Sequence, residues 1–335
     1  MTQCRYLRFF AGTAALIVPL SLGTATTSAA DAFDNWLRGV RQEASRKGVR
    51  RPTLNASLRG VRPIPRVLAL SRRQPEFTLT LDRYLRIVLT EERISKGRKR
   101  FARHRAQLRR AGRANGVQPQ FIVALWGVET KYGAITGGFP VIGALATLAY
   151  QGRRRRFFRS ELINALKIID QGHITVERMM GSWAGAMGQN QFMPSSFLRF
   201  AVDGNGDGRR DIWGSLPDVF HSSANYLRRV GWRRGESWGR EVRLPANFKR
   251  SLINRRKRVT VATWRRLGVR RIDGGPLPGA NLRGRVIMPA HHGGRAFLVY
   301  QNFRAIKRWN NSDYFAIGVG MLADRIAEGP ADVRK

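Results

Sequence analysis

The sequence predicts an α+β fold, mainly α, in which a helical core carries a small strand-containing subdomain. Three observations predict it. Apolar residues recur at helical spacing across Asp31 to Lys47, Leu79 to Asn115 and Tyr314 to Ile326. Strand-like runs are confined to residues 233–305. No tandem repeat or low-complexity linker divides the chain, whose 335 residues suit one large or two modest domains.

The elements follow in order. Arg5 and Arg8 form a short basic head, Phe9 to Gly23 is apolar, and Ser28-Ala29-Ala30 offers small residues for cleavage. Residues 1–30 therefore read as a secretory signal peptide whose apolar part is too short to span a bilayer comfortably. Asp31 to Lys47 is an amphipathic helix through Phe33, Trp36, Leu37 and Val40. A proline-containing connector follows, through Pro63 and Pro65 and then Gln74-Pro75-Glu76-Phe77. Leu79 to Asn115, dense in Arg and Lys, predicts one or two long surface helices. From Gly116 to Trp232 the composition shifts to glycine, aromatic and small residues. The expected core is residues 116–232, flanked by helices within 79–115 and 312–327. The strand-containing insertion spans 233–305, with strands expected at Arg258 to Thr263, Val286 to Met288 and Phe297 to Tyr300. Ser312 or Asp313 is placed to cap the last helix.

The formal charge is +39, and removing Arg5 and Arg8 with the leader leaves +37 on about 305 residues. That charge steers the protein toward polyanions, although an arginine-heavy solvated surface accounts for part of it. An exported chain meets cell wall, anionic glycans and lipid headgroups. Nucleic acid is the weakest candidate, because the aromatics here sit with glycines and amides rather than among the basic runs. Cys4 lies in the basic head, and no cysteine follows, which excludes disulfides, thiol chemistry and a lipoprotein anchor in the mature chain. The expected location is the periplasm, as a soluble monomer.

Two segments carry chemistry. Pro119 suits the first position of a helix, from which Ile122, Leu125, Trp126 and Glu129 fall on one face at i, i+3, i+4 and i+7. Burial would let Glu129 hold a proton near neutral pH, as a general acid must. The competing reading is an acid at a helix end, solvated or paired with Lys131. The second segment is Gly181-Ser-Trp-Ala-Gly-Ala-Met-Gly-Gln-Asn-Gln-Phe-Met-Pro-Ser-Ser196. Its glycines permit close ligand approach, and its amides, hydroxyls and aromatics match a sugar chain with hydroxyls to bond and ring faces to stack.

Glu129-Thr-Lys-Tyr-Gly133, the Gly181–Ser196 stretch and the segments between them resemble the lytic murein transglycosylase B family, over about Gln74 to Asp324. The resemblance implies a lysozyme-like core and cleavage of the β-1,4 bond between N-acetylmuramic acid and N-acetylglucosamine of peptidoglycan glycan strands. It implies 1,6-anhydro ends, a single glutamate and no cofactor for the chemistry. Glu129 is then acid and base in turn, which agrees with the absence of a second acid beside it in sequence. By the same resemblance Ser182 and Gln191 hydrogen-bond the reacting sugars. Arg153 and Arg154 contact the acidic peptide stem or lactyl group, while Arg155 and Arg156 read as a solvated charge run. Tyr226 and Tyr84 form aromatic walls, Asn310 binds substrate, and Trp309 stands where an aromatic is expected.

Asp203, Asn205 and Asp207, followed by Gly208, match positions 1, 3, 5 and 6 of an EF-hand loop, but position 12 is Gly214. The resemblance makes Asp218 the closing acid, with Arg209 contributing its carbonyl to a structural Ca²⁺ site. A calcium-free turn is the alternative. His291-His292 lacks a nearby third ligand for zinc. Two other functions stay open: a hydrolytic lysozyme on the same scaffold, and a non-catalytic protein binding cell wall or polyanions, with peripheral contact to anionic wall or membrane surfaces.

Overall fold

A helix that is apolar all round must be buried all round, and the segment following Pro119 is the centre of the structure. The computed structural model describes residues 29–72, 79–253, 258–289 and 294–328. Residues 1–28 of the expected signal peptide, the Gln74–Phe77 stretch and His291-His292 lie outside the described residues.

Six helices lead in: α1 (Ala29–Arg46), α2 (Arg51–Leu58), α3 (Pro65–Arg72), α4 (Leu81–Val88), α5 (Glu91–Arg103) and α6 (Arg105–Asn115). The connector is thus largely helical, because Pro52 and Pro65 each sit in the first turn of a helix, where proline costs no hydrogen bond. The basic stretch makes three helices rather than one or two. Thr80 and Thr90 each cap a new start by accepting the N–H of Arg83 and Arg93, and the chain turns again at His104.

Helix α7 (Pro119–Thr130) follows, with every residue from Phe121 to Gly127 buried against α5, α6, α11 (Leu216–Arg229) and α14 (Asp313–Ala327). The expected single apolar face of α7 is therefore only part of what is buried. Around it lie β1 (Phe139–Pro140), α8 (Val141–Gln151), α9 (Arg155–Asp170), β2 (Met180–Gly181) and α10 (Pro194–Phe200). Strands β1 and β2 pair antiparallel, Phe139 opposite Gly181, fastening the glycine-rich segment to the start of α8.

The remaining elements are β3 (Gly239–Arg243), β4 (Val259–Thr260), α12 (Val261–Arg266), β5 (Arg270–Arg271), β6 (Arg283–Ile287), β7 (Ala296–Val299) and α13 (Gln301–Trp309). The strands form an antiparallel sheet of order β4-β6-β7-β3-β5 over its own apolar cluster, which includes Val242, Trp264, Val286 and Leu298. The strand expected over Arg258–Thr263 stops after Thr260. The Thr260 hydroxyl accepts the Thr263 N–H and starts α12, burying Val261 and Trp264 at helical spacing. Ser312 caps α14 by accepting the Phe315 N–H.

Candidate active site

Helix α7 ends abruptly just after Glu129, with Lys131, Tyr132 and Gly133 at φ of 50°, 62° and 82°. Two successive non-glycine residues in the left-handed region are costly, so packing must hold them. The Tyr132 ring folds back beneath the helix against Gly97 and Gly127, where an added Cβ would lie 2.5 and 2.6 Å from its atoms. Its hydroxyl donates to the Arg93 carbonyl at 2.8 Å. The Thr130 hydroxyl donates to the carbonyls of Trp126 and Gln189 and accepts the Gly133 N–H.

The glycine-rich segment is stitched to this helix end. Trp126 donates its indole N–H to Gln189 Oε1 at 2.8 Å, and Gln189 Nε2 donates to the Trp213 carbonyl at 2.9 Å. Met187 and Phe192 exchange backbone hydrogen bonds around a tight turn, within which Gln191 adopts φ 50°. Glu161, buried on α9, accepts both the N–H and the hydroxyl of Ser195 and so caps α10. The sequence marked this segment as ligand-binding, but two of its amides are structural. Gln189 fixes α7, and buried Asn190 donates to Val219 and Ser223.

Glu129 is half-buried, and none of the described residues forms an ion pair with it, Lys131 included. Burial pushes its carboxyl up to about 8, against the pull of a hydrogen bond from the Trp309 side chain. Among the described residues, no second carboxylate contributes to that shift. Trp309 packs on Tyr226 and Phe192, with ring centroids 4.7 and 5.0 Å away. Tyr84 feels the Glu129 charge. Burial first, and then that carboxylate, raise its phenol to about 12. The Tyr84 ring lies 5.9 Å from that of Tyr314 and over Gly318, where a Cβ would come within 3.1 Å.

The structure thus gathers Glu129, Tyr84 and Trp309. Ser182 Oγ accepts the Ala186 N–H at 3.0 Å, and Gln191 Nε2 donates to the carbonyls of Thr136 and Gly188, so both help hold the segment's shape. Tyr226 is buried rather than an open wall. Its hydroxyl donates to the Arg308 carbonyl, and its ring supports Trp309 from behind. Asn310 is exposed directly after α13, adjoining Trp309. Arg153 and Arg154 are exposed at the turn between α8 and α9, and Arg154 lies 4.0 Å over the Phe157 ring. Sequence reading undervalued Trp309, and it missed the support given by Gln189 and Tyr314. Nothing in local spacing ties an indole to a glutamate 180 positions earlier.

In the Asp203–Asp211 loop, Asp203 accepts the N–H groups of Gly206, Asp207 and Gly208, and Asp207 accepts that of Arg209. Gly206 and Gly208 supply the positive φ that such a turn requires. Asp218 lies near enough to this loop to feel the Asp203 charge. It is fully buried, and its two oxygens accept the N–H groups of Gly204 and Asp211. Among the described residues, no three His, Cys, Asp or Glu side chains form a group able to hold a metal. The Asp203, Asn205 and Asp207 arm keeps the alternating oxygens suited to a hard cation, while Asp218 serves as a latch.

A helical core that delivers one proton-holding glutamate to an aromatic-lined site defines a lysozyme-like enzyme of glycan cleavage. Residues 32–324 match the family model described as Transglycosylase SLT domain. The chain is 30% identical over 251 residues to membrane-bound lytic murein transglycosylase B of Escherichia coli K12, covering 73% of this chain and 67% of that protein. It superposes on SltB3 of Pseudomonas aeruginosa, solved in complex with NAG-anhNAM-pentapeptide, with TM-score 0.86 and 44% identity. That match covers 89% of this chain and 80% of the other. The E. coli lytic transglycosylase Slt35, solved in complex with calcium, gives TM-score 0.73 and 27% identity over 87% of this chain and 92% of the other. The chain belongs to the transglycosylase SLT family and is a peptidoglycan lytic transglycosylase.

Proposed function

We propose that Glu129 alone performs both proton transfers in cleavage of the muramyl–glucosaminyl bond. As a carboxylic acid it protonates the glycosidic oxygen while the C1–O bond breaks. The muramyl C6 hydroxyl then adds to C1 and returns its proton to the carboxylate, closing a 1,6-anhydro ring without consuming water. The observation that carries this reading is a carboxyl pushed up to about 8 with no second carboxylate among the described residues contributing. A residue with that pKa is protonated at neutral pH and still accepts a proton later. Hydrolysis by two carboxylates would need a partner acid. Tyr84, Trp309 and Asn310 are assigned to the sugars, Ser182 and Gln191 to the shape and hydrogen bonding of the loop beside them, and Arg153 and Arg154 to the acidic stem.

Mass spectrometry of digested sacculi tests the reaction. Anhydromuropeptides are expected, and products one water heavier would assign hydrolysis instead. The Glu129→Gln variant should bind sacculi and release no product, and turnover by it would refute the assignment.

Export to the periplasm through residues 1–30 belongs to the same proposal, as does a subdomain over residues 233–305. The Asp203, Asn205 and Asp207 side chains and the Arg209 carbonyl are proposed as a calcium arm, supported by the calcium complex of the E. coli relative.

A further inference from the structure

A cavity of about 690 Å³ is lined by Arg258, Arg285, Arg304, Lys307, Arg308 and Asn311. Its walls come from two layers. Arg258 precedes β4 and Arg285 lies on β6, while Arg304, Lys307 and Arg308 sit at i, i+3 and i+4 on α13. Lys307 pairs with Asp313 at 2.6 Å. None of the four arginines has an ion pair among the described residues. Burial, then the charges of Arg304, Arg233 and Arg285, hold Arg258 below its ordinary value, and Glu236 pulls the other way. Converging like charges destabilise a fold unless an anion relieves them.

We propose that this cavity is a binding site for a ligand carrying clustered phosphate charge. Several planar guanidinium forks directed into one concavity match oxyanions bidentately. A single carboxylate brings one charge and leaves most of these cations unrelieved. A phosphate brings close to two charges and three strong acceptors, and a diphosphate brings more within the same volume. Helix α13 links the two places: Lys307 and Arg308 line the cavity, and Trp309 reaches Glu129.

Calorimetric titration of the full chain with inorganic pyrophosphate tests the proposal, with acetate at matched ionic strength as the monovalent comparator. Saturable binding of one pyrophosphate is expected, weakened about tenfold or more in the Arg258→Gln/Arg285→Gln variant. Arg304→Gln, exposed on α13, gives a second variant should the first fail to fold. The Arg105→Gln/Arg110→Gln variant removes equal charge from α6 and should bind as wild type. No saturable binding, equal competition by acetate, or equal weakening in the α6 variant would overturn the site. Sedimentation with phosphatidylglycerol vesicles, absent with phosphatidylcholine and displaced by pyrophosphate, would assign a lipid headgroup as the source. Pyrophosphate binding without vesicle binding would assign a soluble phosphate.

Discussion

The Trp126 indole N–H and the Gln189 amide oxygen, 63 residues apart in sequence, meet at 2.8 Å and make α7 and the glycine-rich segment one unit. Gln189 also donates to Trp213, and its Oε1 lies 2.3 Å from where a Cβ on Gly133 would stand. An amide of the segment expected to meet sugar instead holds the end of the helix that carries Glu129.

Gln189→Leu should therefore leave the Trp126 donor and Trp213 acceptor unpaired. The expected loss is about 2–4 kcal/mol from two unsatisfied groups, read from urea unfolding. Cleavage should fall more steeply than binding, because the end of α7 loses its alignment.

Gly133→Ala meets two penalties, φ of 82° and the approach to Gln189. A loss of about 1–3 kcal/mol is expected, measurable as a lowered melting temperature. An unchanged melt would show that Gln189 moves aside freely.

Glu129 makes stability depend on pH. Its folded pKa of about 8 lies above the ordinary value of 4.5, so the folded state binds the extra proton between those values. The stability contributed by protonated Glu129 is complete below about 4.5 and is lost as pH rises through about 8. Glu129→Gln, uncharged throughout, should gain on wild type in melting temperature across that window. The kcat/KM of wild type on soluble fragments should fall above about pH 8 as the acid form is depleted.

Trp309→Phe keeps the ring that rests on Tyr226 and Phe192 and removes the hydrogen bond to Glu129. Because that bond lowers the Glu129 pKa, its loss should move the alkaline limb of the pH–rate profile upward. A profile unchanged in position would separate Trp309 from the proton chemistry.

Calcium should raise the melting temperature of wild type through linkage, and Asp203→Ala should abolish the response. Asp218→Ala should instead lower stability without calcium by about 2–4 kcal/mol, since two backbone N–H groups lose their buried acceptor. Equal behaviour of the two variants would dissolve the distinction between arm and latch.

What the sequence by itself determined was periodic or short-range. The mainly helical class, the helix ending at Glu129, the cap at Ser312 and the glycine-rich motif all follow from spacing and from residues that tolerate unusual backbone. Boundaries failed where a local signal had two meanings. Pro65 opens a helix as readily as it breaks one, and Thr260 ends a strand by capping a helix. Only the tertiary structure decided what surrounds each polar group. Asp218 holds two backbone N–H groups, Tyr226 is buried, and Gln189 supports α7. Burial by distant segments pushes the Glu129 carboxyl up, and the Trp309 hydrogen bond pulls it partly back. Desolvation is a property of everything packed around an atom, and no spacing along a chain encodes it.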